Sequence, residues 1–246
     1  MGEKVTFDAK GMHYIPLNKK IREAIAGGAD EIVLENVLGQ RFIGNGLRGS
    51  ATIVVNGVPG GDLCMFMSGP TCIVYGNAEH APGNTMNEGK VVIHGNAGDA
   101  VAHSMRGGTV YVRGNIGCRG GIHMKQYNEK RPVLVVGGTA QSFLGEYMAG
   151  GLIILLGIDG SKFTGRWVGS GIHGGEIIIR GNIGENQLGV GAKKLPLEEE
   201  DRKRIAPVIR DFAASFGLEP ESLLAAEYTR IVPASARPFA GKYTWE

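Results

Sequence analysis

The sequence predicts an all-β solenoid, a parallel β-helix with short flanking helices. Strand-like runs end in glycine seven times, and the intervals between those glycines are 19, 19, 19, 24, 19 and 24 residues. One strand per period of about 20 residues means stacked coils. Glycine makes up 41 of the 246 residues. It is entropically costly to order, so this many must serve turns that other residues enter with difficulty. A hydrophobic content of 43% separates the chain from a disordered glycine-rich tract.

Residues 1–30 read as an N-terminal cap. Asn18 is expected to cap a short helix from Lys19 to about Ala26, stopped by Gly27-Gly28. The β-helix occupies residues 31–191. A first, weaker copy ends its strand at Glu35, with Asn36 in the glycine's place. Then come Thr52–Asn56 before Gly57, Thr71–Tyr75 before Gly76, Lys90–His94 before Gly95 and Thr109–Arg113 before Gly114. Val133–Gly137, Leu152–Leu156 and Glu176–Arg180 precede Gly138, Gly157 and Gly181. The two intervals of 24 mark five-residue insertions, one within Lys125–Pro132 and one within Val168–Gly175. They flank one regular rung, so both are expected to project from the same corner, and such loops often form a binding face.

Strand alternation sorts the columns. Ile53, Cys72, Val91, Val110, Leu134, Ile153 and Ile177 stand four residues before the glycines, and Val55, Val74, Ile93, Val112, Val136, Leu155 and Ile179 two before. Both columns are apolar and should fill the interior. Met67, Met86, Met105, Met124, Met148 and Trp167 stand ten residues after a glycine, as adaptable filling of a corner. Asn77, Asn96, Asn115 and Asn182 follow their glycines. Gly-Asn suits a left-handed corner, and stacked asparagines can hydrogen-bond along a ladder.

Residues 192–246 read as a helical flank and tail. Ile205, Val208, Ile209, Phe212 and Phe216 keep helical spacing up to Gly217, with Pro207 marking a kink or a start. A short helix over about Glu221–Ala226 and a strand over Tyr228–Val232 follow. One stripe ties this flank to the solenoid. Val54, Ile73, Val92, Tyr111, Val135, Ile154 and Ile178 point outward and are all apolar or aromatic. At about 4.8 Å per rung the stripe runs roughly 30 Å and requires a cover. A helix of about twelve to sixteen residues spans only about 18–24 Å. The helix is expected to cover part, and a partner subunit or a second copy of the chain the rest.

The totals exclude several functions. A net charge of +2, from 26 basic and 24 acidic residues, gives no reason to expect nucleic acid or an anionic membrane as partner. The longest apolar run, Leu152–Leu156, is too short to span a bilayer. Cys64, Cys72 and Cys118 form no C-x-x-C pair, which fits a reducing, cytoplasmic setting. Gly44–Gly49 and Gly169–Gly174 both spell G-x-G-x-x-G, but each runs into a strand, whereas a dinucleotide site needs a helix there. No serine lies in G-x-S-x-G, and the six histidines form no H-x-x-x-H pair. Cys118 with His123 is a conceivable nucleophile and base, outweighed by a corner thiol of no catalytic role. No residue is assigned a catalytic, cofactor-binding or metal-binding role.

Several phrases resemble one family. They are Gly-Asn-Ala-Gly-Asp (95–99), Met-Arg-Gly-Gly (105–108), Gly-Ile-His-Met-Lys (121–125), Gly-Glu-Tyr-Met-Ala-Gly-Gly (145–151) and the spacing of Gly114, Gly117 and Gly121. They resemble the GXGXG domain, the C-terminal domain of the glutamate synthase large subunit, which also occurs as the C subunit of formylmethanofuran dehydrogenase. The flanking ends look most like stand-alone versions of the glutamate synthase domain. The resemblance implies a right-handed parallel β-helix with no catalytic residue and no cofactor. It implies a brace between a class-II glutaminase and an FMN-binding synthase part, where ammonia from glutamine is used to make glutamate. An amidotransferase of that type needs an N-terminal cysteine, and here Met1 is followed by Gly2. Two alternatives are a scaffold in a formylmethanofuran dehydrogenase and a stand-alone hydrolase such as an esterase. Glu79, Ala102, Gln141 and Cys64 depart from the glycine pattern and put the local turn shape in question.

Overall fold

The computed structural model describes residues 2–235 and forms one eleven-stranded sheet wound as a solenoid. β1 (Glu3–Asp8) and β2 (Ala29–Leu38) pair in parallel across the helix α1 (Tyr14–Ala26). The rungs follow as β3 (Thr52–Val58), β4 (Ser68–Tyr75), β5 (Glu88–Ile93), β6 (Thr109–Val112), β7 (Val133–Val136), β8 (Ala149–Leu155) and β9 (Gly174–Arg180). Each pairs in parallel with the next. A 3-10 turn at Glu185–Gln187, β10 (Ala192–Pro196), α2 (Glu199–Phe216), α3 (Glu221–Leu224) and β11 (Tyr228–Pro233) complete the described chain. β11 runs antiparallel between β9 and β10. The end of the tail, residues 236–246, lies outside the described residues.

All seven predicted strands form, and their register is the one the columns require. Ile53, Cys72, Val91, Val110, Leu134, Ile153 and Ile177 are aligned across successive strands and sealed from solvent. Each buried Ile or Leu contributes about 1.5–3 kcal/mol relative to exposure. The five methionines fill the interior and are also fully buried. Strands β1 and β10 were not expected, because Glu3–Asp8 and Ala192–Pro196 carry charges at the sheet's two edges, where charge blunts further pairing.

The asparagine ladder forms, but its geometry differs from the expected left-handed corner. The side-chain oxygens of Asn77, Asn96 and Asn115 accept the backbone N–H of Asn96, Asn115 and Thr139, each at 2.8 Å. Gly114 has no positive φ; a Cβ there would stand 2.2 Å from the Asn96 Oδ1. Glycine is needed at this anchor because the ladder passes through the space a side chain would fill. Of the anchor glycines only Gly57, Gly157 and Gly181 take positive φ. The regular left-handed position lies elsewhere in the rung, and Cys64 and Ala102 adopt φ 59° and 58° there where neighbouring rungs use Gly83 and Gly121. Those two departures therefore keep the turn, at a cost of roughly 1–2 kcal/mol each.

Three further expectations are corrected. Helix α1 starts a full turn earlier than predicted, because His13, whose ring nitrogen accepts from Ile15 N–H at 3.3 Å, supplies the cap. Asn18 lies inside the helix and donates to the carbonyls of Tyr14 and Arg41, both at 2.9 Å, pinning the helix to the next corner. Pro207 does not start α2; it sits exposed in the helix interior. Trp167 does not continue the methionine column. It takes φ 58° and stacks 4.8 Å from Phe143, and buried Ile172 takes the interior place. The second insertion therefore lies before Trp167, within residues 158–165, directly after β8. The two insertions leave from different corners.

The outward stripe is covered in part, as expected. Tyr111, Val135, Ile154 and Ile178 form a second core with Ile205, Ile209 and Phe212 of α2, Leu223 of α3 and Tyr228 of β11. Val92 is also buried, while Val54 and Ile73 are half-exposed. Gly217 closes α2 in the left-handed conformation, with Leu218 N–H on the Ala213 carbonyl at 2.9 Å. Among the described residues, no helix is long and apolar enough to cross a membrane.

Candidate functional site

The first insertion builds the most elaborate corner of the solenoid. Tyr127 and Lys130 exchange backbone hydrogen bonds at 3.2 and 3.0 Å, and Asn128 takes φ 52° at the tip. A two-residue turn with a left-handed asparagine needs little else to close. Gln126 Nε2 donates to the Asn128 carbonyl at 3.2 Å. Lys130 pairs with Glu88. A hollow of about 620 Å³ lies under one side of this hairpin, lined by Asn87, Arg106, Lys125 and the hairpin residues Tyr127–Lys130. A second hollow of about 380 Å³ lies on its other side, toward α2 and β11.

Glu176 forms the floor of that second hollow. Its side chain is 6% exposed and meets three guanidinium groups: Arg131 at 2.6 Å, Arg230 at 2.8 Å, and Arg204 with both nitrogens. Asp201, in the first turn of α2, takes Arg204 at 2.7 Å and Arg230 at 3.1 Å. Burial raises the affinity of Glu176 for a proton, but the Arg204 hydrogen bonds and charge, with Arg230 and Arg131, outweigh it. The carboxyl is held below its ordinary range. Asp201 is lowered too, burial again opposing its arginine bonds. Five charges thus join an insertion, a rung, a helix and the closing strand. The one sequence sign of this clamp was a carboxylate where earlier rungs carry Thr52, Thr71, Lys90, Thr109, Val133 and Leu152; its arginines lie 45, 28 and 54 residues away.

The residues of the conceivable thiol–imidazole pair have other partners. Cys118 Sγ donates to Gln141 Oε1 at 3.3 Å, while the His123 ring stacks 5.3 Å from Tyr147. Cys64 and Cys72 are buried free thiols; their mutual hydrogen bond and burial raise the Cys64 proton affinity. His80 Nδ1 accepts from Asp99 N–H at 2.9 Å, and His94 packs between Tyr75 and Phe216. Among the described residues, no group of three His, Cys, Asp or Glu side chains could hold a metal ion. Both G-x-G-x-x-G stretches lead into strands, β3 and β9.

Such a stack, with its glycine and asparagine corners, can be compared with known proteins. The family described as GXGXG motif matches residues 26–237. The chain belongs to the GXGXG motif family. It is also 57% identical over 253 residues to a protein of Methanocaldococcus jannaschii named as the uncharacterized protein MJ1350. That match covers 98% of this chain and 97% of the relative, so the GXGXG repeat and both flanks are shared. The resemblance drawn from Gly95–Asp99 and its companion phrases is borne out at the level of the family.

Proposed function

We propose that the chain is a structural subunit of a glutamate-synthase-like complex, bracing a glutaminase and an FMN-dependent synthase component without catalysing a step itself. Family membership supports the setting. The observation that carries the bracing role is the construction of the rod. Every rung is tied to the next by strand pairing, and a side-chain ladder reinforces one corner. The covered end is locked by the five-charge clamp around Glu176. Such a body changes shape little under load and suits the holding of two other proteins at a fixed separation. The one conceivable nucleophile, Cys118, is hydrogen-bonded to Gln141, and its conceivable base, His123, stacks on Tyr147.

Reconstitution tests this. The chain is co-expressed with a class-II glutaminase and an FMN-binding synthase chain, and glutamate formation from glutamine and 2-oxoglutarate is followed with a supplied reductant. The expected outcome is co-elution of all three and at least a tenfold gain in glutamine-dependent synthesis over the two enzymes alone. Failure to co-elute, or equal rates without the chain, overturns the proposal. Recovery with a molybdenum or tungsten enzyme would favour the other branch of the family, and ester hydrolysis by the isolated chain would favour an enzyme.

A further inference from the structure

We infer that the hollow under the first insertion binds a small dianion, recognised through carboxylate or phosphate oxygens. This site does not depend on the assembly role proposed above. Arg106 and Lys125 line it from the same place in consecutive rungs. Arg106 N–H bonds the Met86 carbonyl at 2.9 Å and Lys125 N–H the Met105 carbonyl at 3.0 Å, so the two backbones are one rung apart. With rungs spaced about 4.8 Å, the two cationic side chains leave from neighbouring rungs, where like charges repel and an anion between them is favoured.

Among the described residues, Glu129 is the one carboxylate on the lining, against Arg106, Lys125 and Lys130, so positive charge is in excess there. The other carboxylates near this corner are engaged elsewhere: Glu88 with Lys130, Glu146 with Arg119, and Glu176 with Arg131, Arg204 and Arg230. Among the described residues, no ion pair reaches Arg106 or Lys125. The fold does not demand charge here either, since the same column holds Ser68 and Asn87 before them and Ala149 after.

The insertion adds a wall. Arg106 and Lys125 stay exposed, and the hairpin residues Tyr127–Lys130 wall one side of a hollow of about 620 Å³ beside them. Tyr127, 63% exposed, and Asn87 add neutral donors at its rim. A guanidinium grips a carboxylate or phosphate through two parallel bonds, and a lysine acts as a point charge. A dianion reaching across one rung interval engages both groups; a monoanion engages one. The ligand class is thus a short dicarboxylate or a phosphate group.

The test titrates the full chain with succinate, inorganic phosphate and acetate at constant ionic strength, followed by calorimetry. Succinate or phosphate is expected to bind at least tenfold more tightly than acetate, and the tighter of the two identifies the ligand class. Arg106→Ala and Lys125→Ala should each weaken that binding at least tenfold. In the absence of added dianion, Lys125→Gln should raise Tm on the order of 1 °C at low salt by relieving the repulsion. A purely structural lysine would give a fall instead. The proposal is overturned if neither dianion binds more tightly than acetate. It is equally overturned if both alanine variants bind like the parent, or if Lys125→Gln lowers Tm.

Discussion

The two ends of the outward stripe carry similar residues and meet different fates. From Tyr111 to Ile178 the stripe lies sealed beneath α2, whereas Val54 and Ile73 are half-exposed. The difference is the reach of one helix. Its 18 residues span about 27 Å, less than the full stripe. Asp211 fixes where the cover ends: Lys90 meets it at 2.9 Å, and the Tyr111 hydroxyl donates to it at 2.8 Å. Beyond Phe216, which meets His94, the chain turns away at Gly217. An apolar outward column therefore says what a rung tolerates. The residues that cover it are chosen elsewhere in the sequence, as far off as the 100 positions between Tyr111 and Asp211.

The largest break of this comparison comes at the covered end. Ile154→Asp places a carboxylate at a position with no exposure, between the sheet and α2. No cation faces it within that apolar cluster. A loss of about 4 kcal/mol or more, or failure to fold, is expected in urea unfolding. Retention of the parent's midpoint would show that α2 does not lie on the sheet.

The clamp at the same end gives a smaller effect with a pH signature. Glu176→Gln leaves three arginines around a neutral amide, with Asp201 alone to balance two of them. Removing one partner of a fully buried pair costs about 3–5 kcal/mol; here the arginines are 27–36% exposed, so about 2 kcal/mol is expected. The folded carboxyl is lowered relative to its unfolded value of about 4.3. Its contribution is thus present above that pH and lost as pH falls through the folded value. The variant should be less stable than the parent at pH 7, and the gap should close at acid pH. A gap that stays constant down to pH 2 would mean that Glu176 contributes by packing alone.

The open end should respond least. Ile73→Asp can turn its carboxylate to solvent at a half-exposed site, and a cost of about 1 kcal/mol or less is expected in the isolated chain. A loss approaching that of Ile154→Asp, or a fall in oligomeric mass on sedimentation, would show that a second copy of the chain covers this end.

Most of the fold was legible because it is periodic. The strands, the two inward columns and the asparagine ladder repeat the same local requirement, and repetition makes a weak signal visible. What was missed is what occurs once. The His13 cap, the two edge strands and the clamp have no second copy to betray them. Trp167 misled for a related reason. Counting ten residues from Gly157 placed it in the methionine column, but the insertion falls before it, so the count slid by five. The dianion hollow was half legible: the polar insertion stood out, while the pairing of Arg106 with Lys125 emerges only when consecutive rungs are stacked.

Thiol labelling sharpens the comparison most finely. Cys72 lies on β4, on the interior side of the same strand that carries Ile73 outward, and Cys64 sits at the corner just before it. Both thiols are fully buried, while Cys118 is partly exposed at a corner of the next turns. A buried thiol reacts only when its surroundings open, at a rate set by local stability. If lack of a helical cover leaves the interior of the open end intact, Ellman's reagent should modify one thiol promptly in native protein and three after denaturation. Cys118→Ser should abolish the prompt phase. Slow labelling of Cys64 and Cys72 should be unaffected by Glu176→Gln, which loosens only the far end of the rod. Three thiols reacting at once would mean that the uncovered rungs fray, and that α2 holds together the interior as well as the outer face.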